Sequence, residues 1–230
     1  TRDETFARIS QKARLHAKHN PRAIFRDEVS IEEVLSSPPM HGVLTRLQCC
    51  PPTCGAAAAL LTSEKFAKNH GLRSNVKMTG QSMTTDFTSS FEGKTMMQIV
   101  GSDMSQAAAN DLYERTGIGP DDVDVVELHD CFTSNEIITC EALQLTEEGG
   151  SEQFVSDGDN TYGGKMVVNP SGGLLSKGHP LGATGLGQCT ELIWQLREEA
   201  GPRQVEGARV GLQHNLGLGG ACVVSLYQKM

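Results

Sequence analysis

Two histidines and a cysteine stand where the chain passes out of regular structure. His129-Asp130-Cys131-Phe132 follows the strand-like run Val123-Asp124-Val125-Val126-Glu127-Leu128, and Gly178-His179-Pro180 lies in a glycine-rich stretch. Strand ends that open into helices place side chains and free backbone N–H groups at the rim of an α/β sheet, where ligands bind. Thiol and imidazole at two such junctions suit acyl transfer or proton transfer, because both exchange protons near neutral pH once their surroundings tune them. Thr133-x-x-Glu136 has capping-box spacing, which predicts a helix through Leu143. Cys131 would then sit at a helix N-terminus, whose free N–H groups and dipole lower a thiol's pKa. Each residue also has a bland reading: Cys131 as a small core residue, and His179 as a hydrogen-bonded loop histidine.

The elements that must hold these groups read as alternating helices and strands. An amphipathic helix over about 4–19, with Phe6, Ile9, Ala13, Leu15 and Ala17 apolar, stops at Asn20-Pro21. Residues 21–52 contain two Pro-Pro pairs and no sustained period, so they are expected to form an excursion packed over the main fold. A small apolar run at 55–61 precedes a helix over 64–70 that Gly71 stops. Further on, the pattern predicts a strand near 76–80, a loop through Phe91 and a helix over about 105–116 that ends at Gly117. After the glycine-rich stretch comes a helix from Ala183 to Gly201-Pro202, then strands at 208–213 and 221–227 around a glycine turn.

Composition fits a soluble, intracellular α/β protein: 38% of residues are hydrophobic, 25 are glycine, and no apolar run approaches membrane-spanning length. A net charge of −8 argues against a nucleic-acid partner. Seven cysteines, an odd number, suggest reduced thiols rather than a disulfide framework. Cys140, Cys189 and Cys222 fall at core-like positions, whereas His16, His19 and His70 read as solvated helix-face residues. Neither terminus reads as a targeting signal, and Tyr227-Gln228-Lys229-Met230 is not of the peroxisomal Ser-Lys-Leu type. Cys49-Cys50-x3-Cys54 lacks paired Cys-x2-Cys spacing, so no metal site is assigned. Gly158-x4-Gly163-Gly164-Lys165 misplaces the lysine of a phosphate loop, and Gly217-x-Gly219-Gly220 precedes a strand rather than a helix.

Three blocks in register carry a family resemblance: His129-Asp130-Cys131-Phe132; Asn169-Pro170-Ser171-Gly172-Gly173 with Gly178-His179-Pro180-Leu181-Gly182-Ala183-Thr184-Gly185; and His214-Asn215-Leu216-Gly217-Leu218-Gly219-Gly220. With Leu47-Gln48-Cys49-Cys50-Pro51 and Gly158-Asp159-Asn160-Thr161-Tyr162-Gly163-Gly164, they resemble the C-terminal half of a 3-ketoacyl-CoA thiolase of the sterol carrier protein x type. The resemblance implies a layered α/β thiolase-like fold with a mixed sheet flanked by helices. Residues 1–54 would be a helix-and-loop remainder of the first half, and 55–230 the C-terminal thiolase domain.

It also implies roles. Cys131 would shuttle the α-carbon proton, since Asn215-Leu216-Gly217 occupies the Cys-x-Gly block where most thiolases keep that thiol. His179 would activate a nucleophilic thiol and donate to the thioester oxygen, and His129 would complete that oxyanion hole. The backbone N–H of Gly217 would serve a second oxyanion hole, and Asn215 would either position the acyl group or stabilise a turn. Coenzyme A is substrate, no cofactor or metal is implied, and the partners are acyl-CoA and CoA in a homodimer of the complete enzyme, without stable membrane insertion. Peroxisomal location follows by resemblance, with mitochondria and cytoplasm as alternatives.

Two departures qualify this. Cys54 stands where the family usually has Asp, and no segment resembles the surroundings of the first-half nucleophilic cysteine. The chain therefore reads as a fragment, inactive alone and exposing apolar faces that invite association. The alternative functions are a retro-aldolase partner and a non-thiolytic CoA-ester- or lipid-binding protein.

Overall fold

The computed structural model describes residues 1–93, 95–217 and 220–230. In chain order the elements are α1 (Asp3–Ala17), α2 (Ile31–Ser36), β1 (Pro39–His41), β2 (Leu44–Thr45), α3 (Glu64–Asn69), β3 (Val76–Thr85), α4 (Thr88–Glu92), α5 (Met96–Ile99) and α6 (Ser102–Thr116). There follow β4 (Val125–Glu127), α7 (Thr133–Ala142), α8 (Ser151–Ser156), β5 (Val167–Val168), α9 (Gly173–Ser176), α10 (Thr184–Leu196), β6 (Val210–Gly217) and β7 (Ala221–Lys229).

A mixed five-stranded sheet in the order β3-β7-β6-β4-β5 organises the molecule. β3, β7 and β6 pair antiparallel, while β6, β4 and β5 run parallel. Strand alternation divides the apolar side chains between two layers. Val126, Leu212, Val224 and Leu226 pack with Met104, Ala108 and Leu112 of α6 and with Cys140 of α7. Val125 and Tyr227 face the other way, against Cys189, Leu192 and Leu196 of α10. A third cluster joins Ile9 and Ala13 of α1 to Ile137, Val155 and Leu175, so α1 backs the helices that carry the site.

The mixed sheet and flanking helices agree with the sequence expectation, and Gly71 and Gly117 do end α3 and α6 with positive φ. Several expectations fail. The excursion over 21–52 holds α2, capped by a reciprocal Ser30–Glu33 box, and the β1–β2 hairpin. The strand predicted near 76–80 continues to Thr85, because β7 offers nine paired residues along it. The loop expected through Phe91 contains α4, and α10 stops at Leu196 rather than at residues 201–202.

The capping box at Thr133 does not form. Phe132 is the N-cap, and the Glu136 carboxylate instead receives Lys12 and Asn160 in the interior. Tertiary charge pairing outcompetes a local cap here. Of the three histidines read as solvated, His19 and His70 are exposed, but His16 is buried, with Nδ1 on the Asn169 carbonyl and Nε2 on Thr161 Oγ1. Cys140, Cys189 and Cys222 are core residues as expected. Of the glycine turn before β7, Leu218 and Gly219 lie outside the described residues.

Candidate active site

The site forms where β4 runs out. Glu127 is the last residue of β4, and the N–H of Leu128 turns away to the side-chain oxygen of Asn169 at 2.8 Å. The next four residues therefore diverge in direction. Asp130 points inward: one carboxylate oxygen accepts the Leu174 N–H at 2.7 Å, and burial pushes its pKa up to about 8. Gly173, at φ +59°, permits this approach, since a Cβ there would fall on the Asp130 carboxylate. His129 and Cys131, flanking Asp130, have other neighbours: His179 lies against the His129 ring, and Asn135 against the Cys131 sulfur.

His129 and His179 meet edge to face, with ring centroids 4.8 Å apart and planes at 88°. His129 is buried, and burial followed by the neighbouring His179 lowers its pKa to about 4, so its ring is neutral at physiological pH. His179 is half-buried, and its pKa is lowered by burial and then by Lys177. Its Nδ1 lies 2.7 Å from Thr184 Oγ1. The Thr184 hydroxyl donates to the Pro180 carbonyl, so the His179 Nδ1–H must donate to the hydroxyl oxygen. Nε2 then carries the lone pair, the state required of a general base.

Residues 49–53 strap the two motifs together. The N–H of Cys50 donates to the Cys131 carbonyl at 2.8 Å, and Cys49 bridges Phe132. At the other end Pro52 bridges His179, whose N–H donates to Thr53 Oγ1 at 3.2 Å. Gly178 lies at φ +111°, and a Cβ there would come within 2.8 Å of that hydroxyl. A side chain at Gly178 would displace the strap.

Cys131 departs from its expected electrostatics. It does lie one residue before the N-cap of α7, and backbone N–H groups favour its thiolate, yet burial and then Cys50 and Asp130 dominate and push the thiol up to about 12. Removing a thiolate from water outweighs one helix end. Its sulfur lies 3.6 Å from Asn135 Oδ1, so the protonated thiol has an acceptor.

The tail block approaches the same region. Asn215 belongs to β6, not to a turn, and donates to Gln188 Oε1 at 3.0 Å, beside Gly185. Gly217 ends β6, paired in register with Ala221. Sequence reasoning missed three contributors: Thr184 and Thr53, which orient His179, and His214, which reaches His129 from β6. A signal for His214 existed, because Leu212, His214 and Leu216 alternate onto the core-facing side of β6.

Comparison with known proteins shows the family to which the chain belongs. The pattern of the thiolase C-terminal domain-like family matches residues 87–226. Sterol carrier protein 2 of Rattus norvegicus is 58% identical over 229 residues, which is 99% of this chain and 42% of that protein. A benzoylsuccinyl-CoA thiolase subunit of Thauera aromatica is 40% identical over 217 residues, 94% of this chain and 55% of its own length. An Ltp2-ChsH2(DUF35) aldolase superimposes with a TM-score of 0.81 at 20% identity, covering all of this chain and 59% of its own, a likeness of fold. The chain thus spans about half the length of the relatives it matches. With its mixed sheet and its two histidine-bearing junctions, the chain belongs to the thiolase C-terminal domain-like family.

Proposed function

We propose that the chain supplies the second-half acid/base and oxyanion groups of a 3-ketoacyl-CoA thiolase that acts in lipid metabolism. The observation that carries this reading is the edge-to-face contact of His129 and His179, with Cys131, two residues on from His129, tied to His179 by the strap at residues 49–53. The nucleophilic thiol belongs to a first half outside this chain. His179 Nε2 takes its proton, and the thiolate adds to the C3 carbonyl of the substrate. The C2–C3 bond then breaks, its electron pair passing into a thioester enolate whose oxygen accepts from the His129 and His179 imidazoles. Cys131, a thiol raised to about 12, stays protonated until that strongly basic carbon forms and then protonates it. Acetyl-CoA leaves, or propionyl-CoA from a 2-methyl substrate. Incoming CoA returns a proton to Cys131, its thiolate takes the acyl group as a shortened acyl-CoA, and the expelled nucleophilic thiolate recovers its proton from His179 Nε2.

The Gly217 N–H serves the acyl oxyanion, and Asn215, held by Gln188, positions the acyl group. Long, 2-methyl-branched or sterol-derived chains, a homodimer and a peroxisomal setting complete the proposal, with residues 1–54 as the remainder of the first half docked on 55–230. The test is α-proton exchange of acetyl-CoA in deuterated water by the assembled enzyme. Cys131→Ala should abolish exchange and acetoacetyl-CoA synthesis while affecting acylation of the nucleophile less. Normal exchange in that variant would remove Cys131 from the role.

A further inference from the structure

His214 is a titratable group at the site that the proposed chemistry leaves without a task. It lies on β6 with no exposed surface, and the parallel register Glu127↔Gln213 sets it level with Leu128, where β4 gives way to the site. An imidazole in such a place costs free energy unless its nitrogens are bonded. Both are: Ser105 Oγ lies 2.9 Å from Nε2, and the backbone nitrogen of His129 lies 3.4 Å from Nδ1. A backbone N–H only donates, so Nδ1 is the acceptor and the ring proton sits on Nε2. Ser105 Oγ receives that proton and sends its own to the Gly101 carbonyl at 2.8 Å. Every hydrogen in the chain thus points from His129 toward the first turn of α6.

We infer that His214, held as the Nε2–H tautomer by Ser105, is a positioning residue that fixes the backbone of His129 and so aims its imidazole at His179. The His129 ring supplies the reason a backbone anchor matters. Its Nδ1 is buried with no hydrogen-bond partner among the described residues, so ring contacts alone do not set its orientation. The consequence for turnover rests on the role proposed for His129; the hydrogen-bond chain does not.

The test begins with the unaltered 230-residue chain carrying 15N-histidine. The His214 resonances should show a bare Nδ1 and a protonated Nε2, unchanged from about pH 8 to pH 5, as a ring buried this deeply stays neutral. An Nδ1–H tautomer, or titration within that window, overturns the inference. Two variants then separate anchoring from mere bulk. His214→Asn sets an amide oxygen near the former Nδ1, where it still accepts from His129, whereas His214→Gln reaches Ser105 and leaves the His129 N–H unpaired. Hydrogen exchange at the His129 amide should be about tenfold faster in the Gln variant and close to unaltered in the Asn variant. Equal exchange in the two variants refutes the anchor. In the assembled enzyme, thiolysis should fall in His214→Gln and be rescued in His214→Asn. If exchange behaves as expected while thiolysis is untouched by either change, the anchor stands and the catalytic role of His129 fails.

Discussion

Lys12 on α1 and Glu136 on α7 form an ion pair with side chains only 7% and 1% exposed. The same carboxylate oxygen accepts from Asn160 Nδ2 at 2.7 Å. The pair clamps α1 onto the helix that begins just after Cys131, so its loss should loosen the site as well as the fold. Lys12→Met keeps the apolar stem and deletes the charge, leaving a buried carboxylate with one amide donor. Breaking one partner of such a pair costs about 3–5 kcal/mol. The contrast on the same helix is Arg8–Glu4, 43% and 48% exposed. Exposed pairs of that kind contribute about 0–1 kcal/mol. At roughly 2–4 °C per kcal/mol for a chain of this size, Lys12→Met should lower Tm by about 6–20 °C. Lys12→Met with Glu136→Leu should recover most of the loss, because no unpaired charge is then left between α1 and α7. Thermal and urea unfolding followed by circular dichroism decide the matter. A loss below about 1 kcal/mol for Lys12→Met, or a double variant no better than the single, would refute the reasoning.

His179→Ala should block acylation of the nucleophile, whereas His129→Asn, which keeps a side-chain N–H donor at the proposed oxyanion hole, should retain measurable turnover; equal inactivity in single-turnover assays would end the division of labour. Stability should be greatest near pH 6.5. Below it, His16 and His214 (each lowered to about 3) and His129 (to about 4) take protons when the chain unfolds, so their stabilisation, complete above about 6.5, is lost on acidification. Asp130, raised to about 8, acts oppositely: its contribution is full below the unfolded carboxyl pKa and is lost as pH rises toward 8, with Glu127 raised in the same direction. Each group contributes about 1.4 kcal/mol per pH unit within its window, so urea midpoints should fall on both sides of the maximum, and Asp130→Asn should flatten the alkaline side. Finally, Leu60, Leu61, Phe91, Met96 and Leu181 are each more than 60% exposed, so the 230-residue chain alone should self-associate on a sizing column and lack thiolysis. A monodisperse, active monomer would contradict this.

The legible parts of the fold were those that local chemistry dictates. The β4 run, the glycine stops after α3 and α6, the cysteines of the core and the α/β alternation all follow from apolar periodicity and from the freedom of glycine at positive φ, which act within a few residues. The motif blocks at 129–132, 178–185 and 214–220 likewise named the candidate groups, because each lies at an element boundary that the sequence itself marks.

What the tertiary structure alone decided concerns partners far apart in the chain. Glu136 looked like a capping residue, and its real partner is Lys12, 124 positions away. His16 looked solvated, and Asn169 and Thr161 hold it in the interior. Cys131 stands at a helix start that favours thiolate, yet the layers of protein around it raise the thiol, since desolvation depends on everything packed nearby and not on the neighbouring sequence. The tautomer of His179 follows from a hydroxyl hydrogen committed to Pro180, and that of His214 from the backbone N–H of His129, just beyond the end of β4. Burial and hydrogen-bond direction are properties of a closed three-dimensional network, whereas periodicity and turn chemistry are properties of the chain.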